Sequence, residues 1–206
     1  MSEKKSDPRP SWDEYFMEIA HVVAKRSNCS RRHVAAVIVK DNHLLSTGYN
    51  GTPRGVRNCF DDGCPRCSGH APSGTGLDEC LCVHAEQNAI CQAARYGINV
   101  SDATIYVTIS PCLTCAKLII NAGIREVVYG GDYTAFLETV KDLFRSAGVT
   151  CRAFSCAARS IRFIISSSVK EVIRMSERPF SSGIQVIIVD LSYRKHGMYC
   201  TINSAQ

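Results

Sequence analysis

His84 and Glu86 stand two residues apart in the stretch CVHAEQNAI (82–90), and Cys112 and Cys115 stand three apart in SPCLTCAKLII (110–120). A His-x-Glu pair alone turns up by chance in many proteins, but the four residues together can do chemistry. A hydrolytic zinc site takes three protein ligands, imidazole and thiolate among them, and leaves its fourth position to water. Cys112 and Cys115, on one turn at the start of a helix, can grip a single metal, and the positive end of that helix favours thiolates. Pro111 sits just ahead, where its missing N–H costs little. His84, also at a helix start, supplies the third ligand provided the two helix ends meet. Glu86 can then reach the water without binding the metal. Zinc brings the pKa of that water toward neutrality, and a carboxylate beside it can accept a proton and hand it to a substrate nitrogen. A purely structural site has no reason to keep a carboxylate next to an open coordination position, which separates an enzyme from a non-catalytic zinc-binding scaffold module.

The rest of the chain supplies elements that could bring these residues together. Residues 11–28 read as a helix, with capping-box spacing between Ser11 and Glu14 and an apolar stripe of Tyr15, Phe16, Ile19, Val22 and Val23. HVAAVIVK (33–40) and LLSTGY (44–49), either side of Asp41 and Asn42, read as a β-hairpin. Residues 50–82 are rich in Gly, Pro, Cys and Asp and have no apolar period. So long an irregular loop inside a domain points to a function or to a metal that pins it. Beyond it the pattern alternates: helix 84–96, strand 103–108, helix 112–122, strand 125–129, helix 134–146 and strand 149–154. Gly97, Gly123 and Gly148 fall where left-handed helix ends are needed. This order predicts an α/β fold, a three-layer α/β/α arrangement around a mixed five-stranded sheet. The helix starts bearing His84 and Cys112 would then gather at one sheet edge, where α/β sites form.

The expected domain map is a flexible N-terminus (1–10), a zinc-dependent domain (11–154) and an extension of unknown structure (155–206). A chain of 206 residues has room for one such core and about fifty residues more. The charged, proline-punctuated start MSEKKSDPRP has no apolar signal segment, and no run is long and apolar enough for a membrane span, so a cytoplasmic, reducing setting is expected. In that setting the twelve cysteines read as thiols and metal ligands rather than disulfides, above all in the pairs Cys64–Cys67 and Cys112–Cys115. Cys91, Cys151, Cys156 and Cys200 fit ordinary buried thiols. Of the net charge of +5, residues 155–206 carry +4, from seven Lys/Arg against three Asp/Glu. A core near +1 argues against a polynucleotide groove, which needs a broad basic face, and favours a small anion read by one or two arginines.

WDEYFMEIA (12–20), GYNGTPRG (48–55), VHAEQNAI (83–90) and PCLTCAKLIINAGIREVVY (111–129) resemble the deoxycytidylate (dCMP) deaminases of the cytidine deaminase superfamily. His-x-Glu followed by Pro-Cys-x-x-Cys is also the signature of zinc nucleobase deaminases in general. The resemblance covers about residues 11–154. It implies hydrolysis of dCMP to dUMP and ammonia, a reaction that feeds dTMP synthesis. It places the catalytic zinc on His84, Cys112 and Cys115, and gives Glu86 the proton transfers at N3 and at the leaving amine. Asn50 would hold sugar and base edge, the Ala85 N–H would meet the base carbonyl, and Arg31 and Tyr133 would contact the 5′-phosphate. The resemblance also implies a homohexamer activated by dCTP and inhibited by dTTP, with Mg2+ accompanying the effectors, and puts Arg95 in the regulatory region. Members with cysteines at the positions of Cys29 and Cys59 can carry a second, structural zinc. Cys64, Cys67, Cys80 and Cys82 offer further ligands, and Cys29, Cys59, Cys64 and Cys80 are the expected set.

Two features depart from the family. Ala35 replaces a usual glycine, adding a methyl near the expected pocket, and residues 155–206 resemble nothing in it. The rivals with the same zinc chemistry are a deaminase of another cytosine nucleoside or nucleotide and a tRNA adenosine deaminase. A nucleoside enzyme has no use for phosphate-binding arginines, and a tRNA enzyme needs a basic face.

Overall fold

Uninterrupted apolar strands such as AAVIV can be explained only by a sheet covered on both faces. The structure, a computed structural model, shows that sheet. It describes residues 9–69, 72, 75–76, 79–132 and 137–155, all within one compact unit. Tyr133 and the extension beyond Ser155 lie outside the described residues. Five strands, β1 (Ala35–Lys40), β2 (His43–Tyr49), β3 (Thr104–Val107), β4 (Glu126–Tyr129) and β5 (Thr150–Ala153), lie in the order β2-β1-β3-β4-β5. β1 is antiparallel to β2 and to β3, and β3, β4 and β5 run parallel. The sheet is mixed and five-stranded, as the alternation predicted.

Successive side chains leave the sheet on opposite sides. Ala36, Ile38, Ile105, Val107 and Val127 pack with α3 (Ala85–Arg95), α4 (Leu113–Asn121) and α5 (Leu137–Ser146), through Ala89, Ile119 and Phe144. Val37, Val39, Tyr106 and Val128 meet Phe16, Met17 and Ala20 of α1 (Trp12–Ala24) on the other face. Each fully buried Ile, Val or Phe contributes about 1.5–3 kcal/mol of transfer free energy, so the period of two fixes the register of every strand.

The capping box predicted for α1 is present: the Ser11 hydroxyl accepts from Glu14 N at 3.3 Å, and Glu14 Oε2 accepts from Ser11 N at 2.7 Å. The helix ends at Ala24, four residues before the predicted 28. Ser27 is buried and its hydroxyl donates to Asn50 O at 2.7 Å, which draws the chain off the helical path. The 50–82 loop is not wholly irregular. It holds a 3-10 turn (Cys59–Asp61) and one helical turn, α2 (Pro65–Ser68), which Pro65 starts without losing a needed N–H.

A polar clamp ties α1 to the far edge of the sheet. Arg152 on β5 donates to both Asp13 oxygens, at 2.7 and 3.1 Å, and its Nε donates to Glu126 Oε1 at 2.9 Å, while the Tyr106 hydroxyl donates to Asp13 Oδ1 at 2.9 Å. The Arg152 bonds hold the Asp13 carboxyl below the usual carboxylate range; burial opposes this and Tyr106 assists. A carboxyl whose folded pKa is depressed stabilises the fold above its unfolded pKa, and this contribution disappears as pH falls through the folded value. Arg152→Ala should therefore cost about 1 kcal/mol at pH 7, since both side chains are partly solvated, and almost nothing once the pH has fallen below the depressed folded pKa of Asp13. Urea unfolding at the two pH values tests this, and an equal loss at both would assign Arg152 a packing role alone.

Candidate active site

Two helix N-termini converge at the ends of β2 and β3. His84 is the N-cap of α3, its backbone N–H donating to Gln87 Oε1 at 2.9 Å, and Cys112 is the N-cap of α4. Both caps have extended backbone, so each side chain projects from the start of its helix rather than along it. His84 Nδ1 lies 3.4 Å from Cys112 Sγ and 3.4 Å from Cys115 Sγ. Tetrahedral zinc with Zn–N near 2.0–2.1 Å and Zn–S near 2.3 Å separates nitrogen from sulfur by about 3.5 Å. The predicted trio therefore fits a single zinc ion without rearrangement. The Cys115 thiol bonds to the Cys112 sulfur and does most to hold Cys112 down at about 4. Burial opposes this, and His84 adds to the lowering. The same bond, together with burial, pushes Cys115 well up.

Glu86 is buried, only 4% exposed, and sits against Cys115 one residue inside α3. Burial pushes its carboxyl above the usual carboxylate range, while the adjacent His84 charge pulls it back. A carboxyl so placed exchanges protons nearer neutrality than a solvated one.

One cavity is lined by His84, Glu86 and Cys112. Its walls also include Ala85, Asn50 and Arg31, all expected from the sequence. Ala85 is the first residue of α3, so its N–H is one of the donors with no intrahelical acceptor. Asn50 faces the cavity, yet its amide also builds the wall. Oδ1 accepts from Ser27 Oγ at 2.7 Å and from Val34 N at 2.8 Å, and Nδ2 donates to Arg32 O at 2.9 Å. One Nδ2 proton remains for a ligand. Arg32, Arg66, Ile109 and Ser110 also line the cavity and were not singled out in the sequence. Arg66 was legible only as the residue inside Cys64-Pro-Arg-Cys67, and nothing in the sequence distinguished Arg32 from its neighbour. Val34, rather than Ala35, faces the cavity; Ala35 is buried in the sheet, its N–H donating to Thr108 Oγ1 at 3.1 Å.

Arg95 lies elsewhere, exposed in the last turn of α3. It lines a separate concavity of about 470 Å³ with Asn28, Thr52, Arg54, Asn58 and Gln92.

The expected second set, Cys29, Cys59, Cys64 and Cys80, is not grouped as predicted. Cys29 and Cys59 lie with Cys67 and Cys82, and Cys64 and Cys80 lie with the same two residues. The helical turn of α2 carries Cys67 inward beside Cys64, and the Gly51–Val83 bridge holds Cys82 under the loop. Sequence spacing could not show that these two would be central.

Comparison with known proteins agrees with this geometry. Residues 10–131 match the family model for the cytidine and deoxycytidylate deaminase zinc-binding region. The chain is 48% identical over 153 residues to the deoxycytidylate deaminase of Schizosaccharomyces pombe, covering 74% of this chain and 47% of that one. It is 46% identical over 126 residues to that of Mycobacterium phage D29, covering 59% of this chain and 95% of the phage protein. It thus spans about half the length of its yeast relatives. The dCMP deaminase of cyanophage S-TIM5, solved in complex with dCMP and dUMP, superposes with a TM-score of 0.59 at 30% identity, over 72% of this chain and all of that one. With a zinc-fitting trio at two helix starts and a family match across more than half its length, this chain belongs to the cytidine and deoxycytidylate deaminase zinc-binding family.

Proposed function

We propose that the protein hydrolyses dCMP to dUMP and ammonia. The observation that carries this reading is the buried Glu86 carboxyl beside the His84–Cys112–Cys115 trio, in a cavity that also receives Arg31, Arg32 and Arg66. A zinc ion held by the trio supplies Lewis-acid activation of water near neutral pH. Glu86 accepts one proton from the attacking water and delivers it to N3 of the cytosine. It then carries the second to the 4-amino group, which departs as ammonia as the C4 carbonyl forms. The water's oxygen ends in dUMP and both its protons are accounted for. The Ala85 N–H and the remaining Asn50 Nδ2 proton orient the base and sugar, and the arginines meet the 5′-phosphate. The solved complex of the cyanophage relative with dCMP and dUMP supports this choice of substrate.

Purified protein incubated separately with dCMP, deoxycytidine, dCTP and single-stranded DNA, with the cytosine absorbance followed, tests the reading. Turnover confined to dCMP is expected, and equal turnover of deoxycytidine would remove the phosphate from the account. The Arg95 concavity is the proposed site for regulation by dCTP and dTTP, and the family resemblance is what suggests accompanying Mg2+ and a homohexamer. Activation by dCTP and inhibition by dTTP should therefore be lost in Arg95→Ala with basal turnover kept, and unchanged effector responses would reject that concavity as the regulatory site.

A further inference from the structure

Six cysteines, Cys29, Cys59, Cys64, Cys67, Cys80 and Cys82, form a cluster distinct from the His84–Cys112–Cys115 trio but bordering the same cavity, in which every residue is buried except the half-buried Cys80. No disulfide joins them. They do not fall into a single foursome. The structure contains two, Cys29–Cys59–Cys67–Cys82 and Cys64–Cys67–Cys80–Cys82, with all sulfurs in each lying within 4.8 Å of one another. Cys67 and Cys82 belong to both. Four thiolates around one zinc at about 2.3 Å stand about 3.8 Å apart. Cys64 and Cys80 are separated by 3.9 Å, and Cys67 and Cys80 by 3.8 Å. Two tetrahedra that share an edge reproduce this arrangement, whereas one metal would leave two of the clustered thiols without a metal.

We propose that this loop holds a binuclear centre: two zinc ions and six thiolates, with Cys67 and Cys82 bridging, Cys29 and Cys59 terminal on one metal, and Cys64 and Cys80 terminal on the other. Four terminal and four bridging Zn–S bonds make each ion four-coordinate. Six thiol protons leave to solvent, and two divalent ions with six thiolates carry a net charge of −2. The Ser30 N–H already donates to Cys59 Sγ at 3.4 Å, and Arg31, Arg32 and Arg66 lie around the same cavity as Cys29, Cys67 and Cys82. The centre therefore fixes a wall of the active site. Cys82 is two residues from His84, and Arg66 sits between Cys64 and Cys67, its guanidinium donating to Thr75 O at 3.1 and 2.9 Å.

Metal counting and cadmium NMR test the centre without an activity assay. The full chain should contain three zinc ions, and a His84→Ala/Cys112→Ser chain, whose catalytic set is dismantled, should contain two. Substitution with 113Cd should give two thiolate-type resonances split by coupling to one another through the bridging sulfurs. X-ray absorption should add a metal–metal distance of roughly 3 Å, as expected for edge-sharing tetrahedra at Zn–S of about 2.3 Å. One zinc in the dismantled variant, or cadmium resonances without mutual coupling, would overturn the proposal and leave the catalytic reading untouched. Should that variant fail to fold, the wild-type count and spectrum decide alone.

Discussion

Glu86→Gln is expected to lower kcat for dCMP by about three to four orders of magnitude while leaving the catalytic zinc in place. Gln matches Glu in shape and can still occupy the buried pocket at the start of α3, where the carboxyl is 4% exposed. It cannot take a proton from water or carry one to a ring nitrogen. Because the proposed zinc ligands His84, Cys112 and Cys115 do not include Glu86, zinc content should match the wild type within error. Single-turnover absorbance and metal analysis of one preparation give both quantities. If zinc and turnover disappear together, Glu86 is an architectural residue and the proton-transfer assignment fails.

Gly48→Ala is expected to cost about 2–3 kcal/mol of stability and to cut kcat/KM by about a hundredfold in whatever remains folded. Gly48 on β2 lies directly beneath α3, where an added Cβ would fall well inside van der Waals contact with Ala85 O and Ala89 N. Both obstacles are backbone, so no rotamer change relieves them and the helix itself must move. α3 carries His84 at its cap and Glu86 in its first turn, so lifting it off the sheet misplaces the proposed metal ligand and the proposed proton carrier together. The same face is fastened by Ser46 Oγ donating to Ala89 O at 2.8 Å and Asn88 Nδ2 donating to Tyr49 O at 2.8 Å. Thermal unfolding and steady-state kinetics of the variant check both effects. A wild-type melting point would mean that the gap between β2 and α3 is looser than the structure shows.

The grouping of His84, Cys112 and Cys115 beside Glu86 was legible in the sequence because its parts are local. His-x-Glu and Cys-x-x-Cys each sit on a single helical turn, and the alternation of helices and strands left little choice about where those turns begin. Gly97 and Gly123, at φ of 65° and 75°, close α3 and α4 as predicted, since residues with a side chain rarely take that conformation. What the sequence could not reveal depends on contacts between distant segments. The end of α1 is set by a hydrogen bond from Ser27 to the chain at Asn50. The double role of Asn50, facing the cavity while bonded to Ser27, Val34 and Arg32, requires the 27–34 segment to fold back on the hairpin. The cysteine grouping shows the same limit. Sequence spacing identifies Cys64 and Cys67 as a pair, but only the crossing of α2 with the strand-like chain at Cys82 makes Cys67 and Cys82 central to both foursomes.

The central claim is that His84, Cys112 and Cys115 hold one zinc that keeps a position for water within reach of Glu86. An anomalous-difference map collected across the zinc edge from crystals of the purified protein tests it most directly. The account predicts a peak about 2.0–2.1 Å from His84 Nδ1 and about 2.3 Å from both sulfurs, with a solvent oxygen as fourth ligand hydrogen-bonded to the Glu86 carboxylate. A fourth protein ligand on that zinc, or a His84 ring turned away from it, would contradict the account.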